Sequence, residues 1–315
     1  MKLILRLLGV ALLACGVFAL AGVLATWAPD RPVQDLSARW ATAPSQFMAV
    51  NGMQVHVRDE GPRDDPMPIV LLHGTSASLH TWDGWVDSLR GQRRVIRFDL
   101  PGFGLTGPDP QGDYSLAAYV RFVGAMLDAL GVRTCVLAGN SLGGQIAWET
   151  ASALPQRVGK LILVDAAGYP MRSESVPLGF RVARLPGLRL LMEYVLPRGM
   201  VESSVRNVYG DPQKVTPALV DRYYELALRA GNRQALAQRL ALTGYGDTQP
   251  IKALKLPTLI LWGAKDRLIP LENGNRFASD IAGSRLVVFD GLGHVPHEED
   301  PQQTVAAVKA FLGVR

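Results

Sequence analysis

The stretch Val136-Leu137-Ala138-Gly139-Asn140-Ser141-Leu142-Gly143-Gly144 constrains this chain more than any other. A short apolar run ends in Gly-Asn-Ser-Leu-Gly, and the helix-permissive Gln145-Ile146-Ala147-Trp148-Glu149 follows. That is the pattern of a strand, a sharp turn and a helix. Gly139 and Gly143 stand where a side chain would collide with neighbouring backbone, so the turn is free to hold Ser141 at its tip in strained φ/ψ. The helix beyond points its free N–H groups and positive dipole end at the same spot. A serine hydroxyl is a weak nucleophile alone, so chemistry at Ser141 requires a histidine base and an acid to orient that base.

The flanking pattern sets the fold class. Phe47–Val50 and Met53–Arg58 read as a hairpin around Asn51-Gly52. Met67–Leu72, Arg94–Phe98, Thr134–Ala138, Lys160–Val164, Pro257–Trp262 and Arg285–Phe289 read as strands. Several are apolar throughout rather than alternating, as in a parallel sheet covered on both faces. Ser78–Leu89, Ser115–Leu130, Glu272–Ile281 and Thr304–Leu312 read as helices. The expected class is α/β, a doubly wound, mostly parallel sheet with functional groups at the C-terminal strand ends. Between Pro170 and Pro250 no strand is expected. Leu178–Leu185, a break at Pro186-Gly187, Leu188–Val195, Pro217–Ala230 and Asn232–Thr243 read as the helices of a cap. With 315 residues, 48% of them hydrophobic, one large domain plus an insertion is expected. The expected organisation is a membrane anchor or signal segment over 1–28, a polar linker over 29–45, a core over 46–170 and 251–315, and the cap over 171–250.

Leu7 to Trp27 is an uncharged apolar run of about 21 residues, enough to cross roughly 30 Å of hydrocarbon. Lys2 and Arg6 precede it, which places the N-terminus in the cytoplasm and the remainder across the membrane. The run reads as a retained anchor, being longer than a usual signal core. The alternatives are cleavage near Ala19-Leu20-Ala21, giving a secreted protein, and lipidation of Cys15, although the residues after Cys15 stay apolar. The formal charge of +5 is spread over scattered basic residues, so no nucleic-acid partner is expected. Arg172, Arg181, Arg184, Arg189, Arg198 and Arg206 fall in the cap. They read as a solvated helix face, with attraction to an anionic substrate or membrane surface as the alternative. Cys15 and Cys135 are not expected to pair, and Cys135 reads as an inert thiol in a buried strand.

Among His56, His73, His80, His294 and His297, His294 is the candidate base, because Gly291-Leu292-Gly293-His294 follows a strand on a glycine-rich loop. His297 reads as structural or as a partner to Glu298, and His73 as a residue that organises its turn. Asp266, after Trp262-Gly263-Ala264-Lys265, is the candidate acid. Asp165 is its rival, and Asp99 reads as capping the turn at Pro101-Gly102. The two amides that would stabilise an oxyanion are the N–H of Leu142 and the N–H of Thr75. No metal or organic cofactor is expected, since neither clustered His/Cys ligand spacing nor a phosphate-cradling lysine loop is present.

His73-Gly74-Thr75, Asp99-Leu100-Pro101-Gly102-Phe103-Gly104, Gly139-Asn140-Ser141-Leu142-Gly143-Gly144, Trp262-Gly263-Ala264-Lys265-Asp266 and Gly293-His294-Val295-Pro296 together resemble the α/β-hydrolase superfamily over residues 45 to 315. The order Ser141, Asp266, His294 is the order of that arrangement. A serine at 141, where haloalkane dehalogenases and epoxide hydrolases carry aspartate, argues against both. Within the serine branch the chain resembles exported bacterial lipases and esterases and, less closely, meta-cleavage-product hydrolases, which cut carbon–carbon bonds. The first resemblance implies a small-molecule ester substrate cleaved through an acyl-enzyme. The second is the alternative, although Ser76-Ala77-Ser78 and Val295 stand where that group carries other residues. A membrane-tethered binding protein on the same scaffold is a third possibility, which the full set of candidate groups disfavours.

Overall fold

The structure, a computed structural model, describes residues 2–185, 193–242 and 246–314. The break expected at Pro186-Gly187, most of the helix expected over Leu188–Val195, with it Arg189, and the end of the helix expected at Thr243 lie outside the described residues.

Eight strands form one sheet: β1 (Gln46–Val50), β2 (Met53–Glu60), β3 (Ile69–Leu72), β4 (Val95–Phe98), β5 (Cys135–Asn140), β6 (Val158–Val164), β7 (Thr258–Gly263) and β8 (Arg285–Phe289), in the order β1-β2-β4-β3-β5-β6-β7-β8. β2 runs antiparallel to both its neighbours, and β3 to β8 run parallel. Alternate side chains leave opposite faces, and both faces are covered. Val70, Leu72, Leu137, Leu161 and Leu163 pack under α4 (Leu116–Ala129), α5 (Leu142–Ala153) and α11 (Leu271–Asp280). Ile69, Leu71, Val136, Ile162 and Leu259 pack under α3 (Asp83–Leu89) and the last helix, α12 (Pro301–Leu312). That two-sided burial is why these strands carry no polar alternation. The doubly wound α/β class read from the sequence is the observed one.

The helix expected over Ser78–Leu89 is divided. Leu79–Trp82 is a 3₁₀ turn and α3 follows it. The cause is Asp99, whose Oδ1 accepts the Leu79 amide at 2.7 Å and draws the first turn toward the strand end.

Between β6 and β7 the described chain holds no strand, only single bridges made with the N-terminal segment. It holds α6 (Leu178–Ala183), α7 (Arg198–Val208), α8 (Pro217–Ala227), α9 (Asn232–Ala241) and α10 (Gln249–Ala253). Val205, Tyr209, Val215 and Val220 form a small core there, closed by Val295 from the loop after β8.

At the N-terminus, α1 (Lys2–Ala25) contains Arg6–Ala25, which is long and apolar enough to cross a membrane. Leu7, Leu8, Leu12 and Leu13 are exposed along it. The segment expected as a polar linker differs: it holds helix α2 (Val33–Trp40) and is fastened along its length. The Ala28 amide donates to the Tyr194 carbonyl at 2.8 Å, the Arg31 amide to Leu228 at 2.7 Å, Arg233 pairs with Asp30 at 2.6 Å, and the Trp40 indole donates to Glu225 at 2.7 Å. Pro29, Pro32 and Pro44 suggest breaks, yet Pro32 lies immediately before α2, where its missing N–H costs nothing. An eight-residue helix is marginal alone. Burial of Leu36 adds roughly 1.5–3 kcal/mol.

Candidate active site

Ser141 stands between β5 and α5 at φ 55°, ψ −117°, a backbone region costly for a residue with a Cβ. The flanking glycines allow it. A Cβ on Gly139 would lie 2.1 Å from the Gly143 oxygen, and one on Gly143 would lie 2.3 Å from the Leu72 oxygen. The turn is fastened to the end of β6: the Ser141 amide donates to Val164 at 3.1 Å, and the Ser141 carbonyl accepts from Ala167 at 3.0 Å. Leu142 and the residues after it open α5, so their amides have no carbonyl one turn back. Thr75, after His73-Gly74, lines the same cavity of about 750 Å³ as Ser141 and Leu142. The two residues whose amides are expected to serve an oxyanion therefore line one cavity with the serine.

His294 and Asp266 meet: the imidazole Nδ1 donates to Asp266 Oδ2 at 2.7 Å, and both residues are buried. Asp266 Oδ1 accepts the Leu268 amide at 2.8 Å and the Ile269 amide at 2.9 Å, which fixes the carboxylate and leaves Oδ2 to the ring. With its proton on Nδ1, the neutral ring keeps a lone pair on Nε2, the form a general base needs. The loop carrying His294 is tied to the serine turn through Asn140, the neighbour of Ser141, whose Nδ2 donates to the His294 carbonyl at 2.9 Å and to Val164 at 3.1 Å. From the cap side, the His294 amide donates to Val208 at 2.8 Å. Sequence reasoning missed Asn140 as a positioning group; its place inside the Gly-x-Ser motif was the available signal.

Asp165, the rival acid, sits beside Asp266 rather than against the ring. Its Oδ1 accepts the Gly263 amide at 3.0 Å, and its Oδ2 is buried without a hydrogen-bond partner. One ligand atom from each of Asp165, Asp266 and His294 lies within 4.8 Å of the others. Complete burial, and then the charge of Asp266, hold the Asp165 carboxyl well above the usual carboxylate range, with Glu299 adding to the effect. A carboxyl raised in the folded state costs stability once the unfolded chain ionises, above about pH 4. Asp165→Asn, which carries no titrating proton, is therefore expected to melt at or above the wild-type temperature at pH 8, the gap closing toward pH 4.5. A thermal melt in which the variant loses stability as pH rises would mean that Asp165 is ionised.

The other histidines are placed elsewhere. His73 accepts the Leu100 amide on Nε2 at 2.9 Å and bonds the Gly74 carbonyl through Nδ1 at 2.8 Å; burial lowers its pKa. It organises its turn, as its sequence context implied. His297 does not pair with Glu298, which instead takes Arg222 and the Tyr223 hydroxyl. It packs against Trp82, ring centroids 3.9 Å apart. Cys135 is buried and its thiol is pushed up to about 12 by burial, so it is inert as a nucleophile. His56 joins a second set of serine, histidine and aspartate. Ser45 Oγ lies 2.8 Å from its Nε2, and its Nδ1 lies 2.8 Å from Asp99 Oδ2. Burial would raise the Asp99 carboxyl, but His56, His73 and His80 hold it well below the usual range. Here Arg58 Nε also donates to Ser45 Oγ at 2.9 Å, and the serine heads no helix. Ser45 therefore lacks the start-of-helix setting that Ser141 has before α5. Asp99 also takes the Leu79 and Leu105 amides, so this second set braces the hairpin and the turn after β4.

Residues 67–301 match a family model described as alpha/beta hydrolase fold. A 2-hydroxy-6-oxo-2,4-heptadienoate hydrolase from Pseudomonas putida is 29% identical over 280 residues, 85% of this chain and 95% of that protein. A solved meta-cleavage product hydrolase from Pseudomonas fluorescens is similar with a TM-score of 0.73 at 25% identity, over 86% of this chain and 97% of its own. A solved membrane phospholipase A, described as a bacterial virulence factor, is similar with a TM-score of 0.73 at 27% identity, over 99% of this chain and 98% of its own.

Proposed function

The chain belongs to the α/β-hydrolase fold family, and from that premise we propose that it cleaves carboxylic esters with Ser141 as nucleophile, His294 as base and Asp266 as the orienting acid. The observation that carries this reading is the buried 2.7 Å bond from His294 to Asp266, on a loop that Asn140 ties to the strained serine turn. Ser141 Oγ attacks the ester carbonyl while His294 Nε2 takes its proton. The Leu142 and Thr75 amides stabilise the negative charge that develops on the carbonyl oxygen. Collapse of the tetrahedral intermediate expels the alcohol, which receives the proton from His294. A water, deprotonated by His294, then hydrolyses the acyl-enzyme and restores Ser141.

Residues 171–250 act in this reading as the cap that selects the substrate, and α1 as the anchor that keeps the hydrolase on the non-cytoplasmic side. Similarity to the membrane phospholipase A spans 99% of this chain, N-terminal segment included, and favours an ester substrate at a membrane. Carbon–carbon bond hydrolysis is the second reading, favoured by the similarity to the dienoate and meta-cleavage product hydrolases. The test is turnover of p-nitrophenyl esters from short to long acyl chains by the full-length chain in neutral detergent, beside Ser141→Ala. Turnover that requires Ser141 supports the ester reading, and a folded protein inert on the whole series moves the assignment to carbon–carbon cleavage.

A further inference from the structure

The cavity that holds Ser141 also holds two arginines. Arg184, just after α6, and Arg239, near the end of α9, line it with Thr75, Leu142 and Phe180, and its lining includes no aspartate or glutamate. Four cap-side arginines have a carboxylate, Arg198 with Asp221, Arg206 with Glu202, Arg222 with Glu298 and Arg233 with Asp30, whereas Arg172, Arg181 and Arg229 form no ion pair among the described residues and do not line this cavity. Among the described residues neither Arg184 nor Arg239 has one, and residues 186–192 and 243–245 contain no acidic residue to supply it. Arg239 Nε is buried without a hydrogen-bond partner. Burial is the main influence on its guanidinium and works against its charge, with only the Tyr119 hydroxyl opposing that. A desolvated guanidinium without a counter-charge is unfavourable, and its best match is a carboxylate or phosphate oxygen.

Resting on the ester-hydrolase reading above, we propose that the substrate carries one anionic group, a carboxylate or a phosphodiester, which Arg239 binds together with Arg184 while the scissile carbonyl lies at Ser141. Met171, Val176, Phe180 and Leu268 line the same cavity with apolar surface, which suits an apolar spacer joining the two ends of the substrate. Of the cap arginines read from the sequence, Arg184 is the one this assigns to substrate.

Two matched pairs test it on the full-length protein in neutral detergent: p-nitrophenyl octanoate against the mono-p-nitrophenyl ester of octanedioic acid, and dioctanoylglycerol against dioctanoyl phosphatidylglycerol. The wild type is expected to favour the anionic member of at least one pair by about tenfold or more in kcat/KM, the scale of one charged hydrogen bond; the pair that shows it identifies carboxylate or phosphodiester. Arg239→Gln is expected to remove that preference through KM, and Arg239→Lys to retain part of it. A purely structural loss lowers both members alike and leaves their ratio unmoved. Turnover without preference in either pair, or a ratio that Arg239→Gln leaves unchanged, overturns the anion site while the ester reading stands. Absence of Ser141-dependent turnover on all four overturns the ester reading itself and the inference with it.

Discussion

Ser141→Ala is expected to lower kcat for p-nitrophenyl esters on the order of ten-thousand-fold to a million-fold, the span seen when a nucleophile acting as one unit with its base is removed. The size of the loss follows from the arrangement. His294 and Asp266 have no nucleophile left to activate, and what remains is binding plus the two amides. The fold is expected to stay intact. The Ser141 hydroxyl is not part of the hydrophobic core, and the backbone bonds that hold the turn, to Val164 and from Ala167, are made by main-chain atoms that alanine keeps. Unchanged circular dichroism and melting temperature beside lost turnover is the expected pair of results. Near-normal kcat in this variant would remove Ser141 from the chemistry.

Asp266→Asn is expected to cost about ten-thousand-fold in kcat, because an amide at this place favours the wrong imidazole tautomer. Asp266 Oδ1 takes two backbone amides, so the asparagine is expected to keep its oxygen there and turn its NH₂ toward Nδ1. The ring would then carry its proton on Nε2 and be unable to accept one from Ser141. Asp165→Asn is the contrasting variant. Its carboxyl takes the Gly263 amide and is not hydrogen-bonded to the ring, so the loss is expected to be smaller by a factor of about a hundred or more in kcat on the same assay. If the two losses came out in the reverse order, Asp165 and not Asp266 would orient the ring.

The serine turn was legible because its geometry is local: two glycines at fixed offsets, a strand before and a helix after leave few conformations. The parallel strands were legible for the same reason, since Val136, Leu137, Leu161 and Ile162 are apolar on both faces of the sheet. His294 could be picked out because few histidines follow a strand on a glycine loop. Tertiary relations were not legible. Whether Asp165 or Asp266 touches the ring depends on how the ends of β6 and β7 sit side by side, with Val164 registered against Leu261. No sequence interval records that carboxylate oxygens of Asp165 and Asp266 lie within 4.8 Å of each other. The docking of residues 28–40 was missed because prolines were read as breaks and a single buried leucine carries little periodicity. Arg239 was missed because helix spacing alone does not say which face of α9 turns toward Ser141. Ser45 and His56 show the converse: a serine, a histidine and an aspartate are hydrogen-bonded in line, yet this serine heads no helix and is held by Arg58.

That last comparison sets the most direct measurement. The full-length protein would be treated with a fluorophosphonate probe and digested, and the modified peptide identified by mass spectrometry, with Ser141→Ala and Ser45→Ala in parallel. Covalent labelling confined to Ser141, lost in Ser141→Ala and retained in Ser45→Ala, is the predicted result. Labelling that maps to Ser45, or that persists in Ser141→Ala, would contradict the account at its centre.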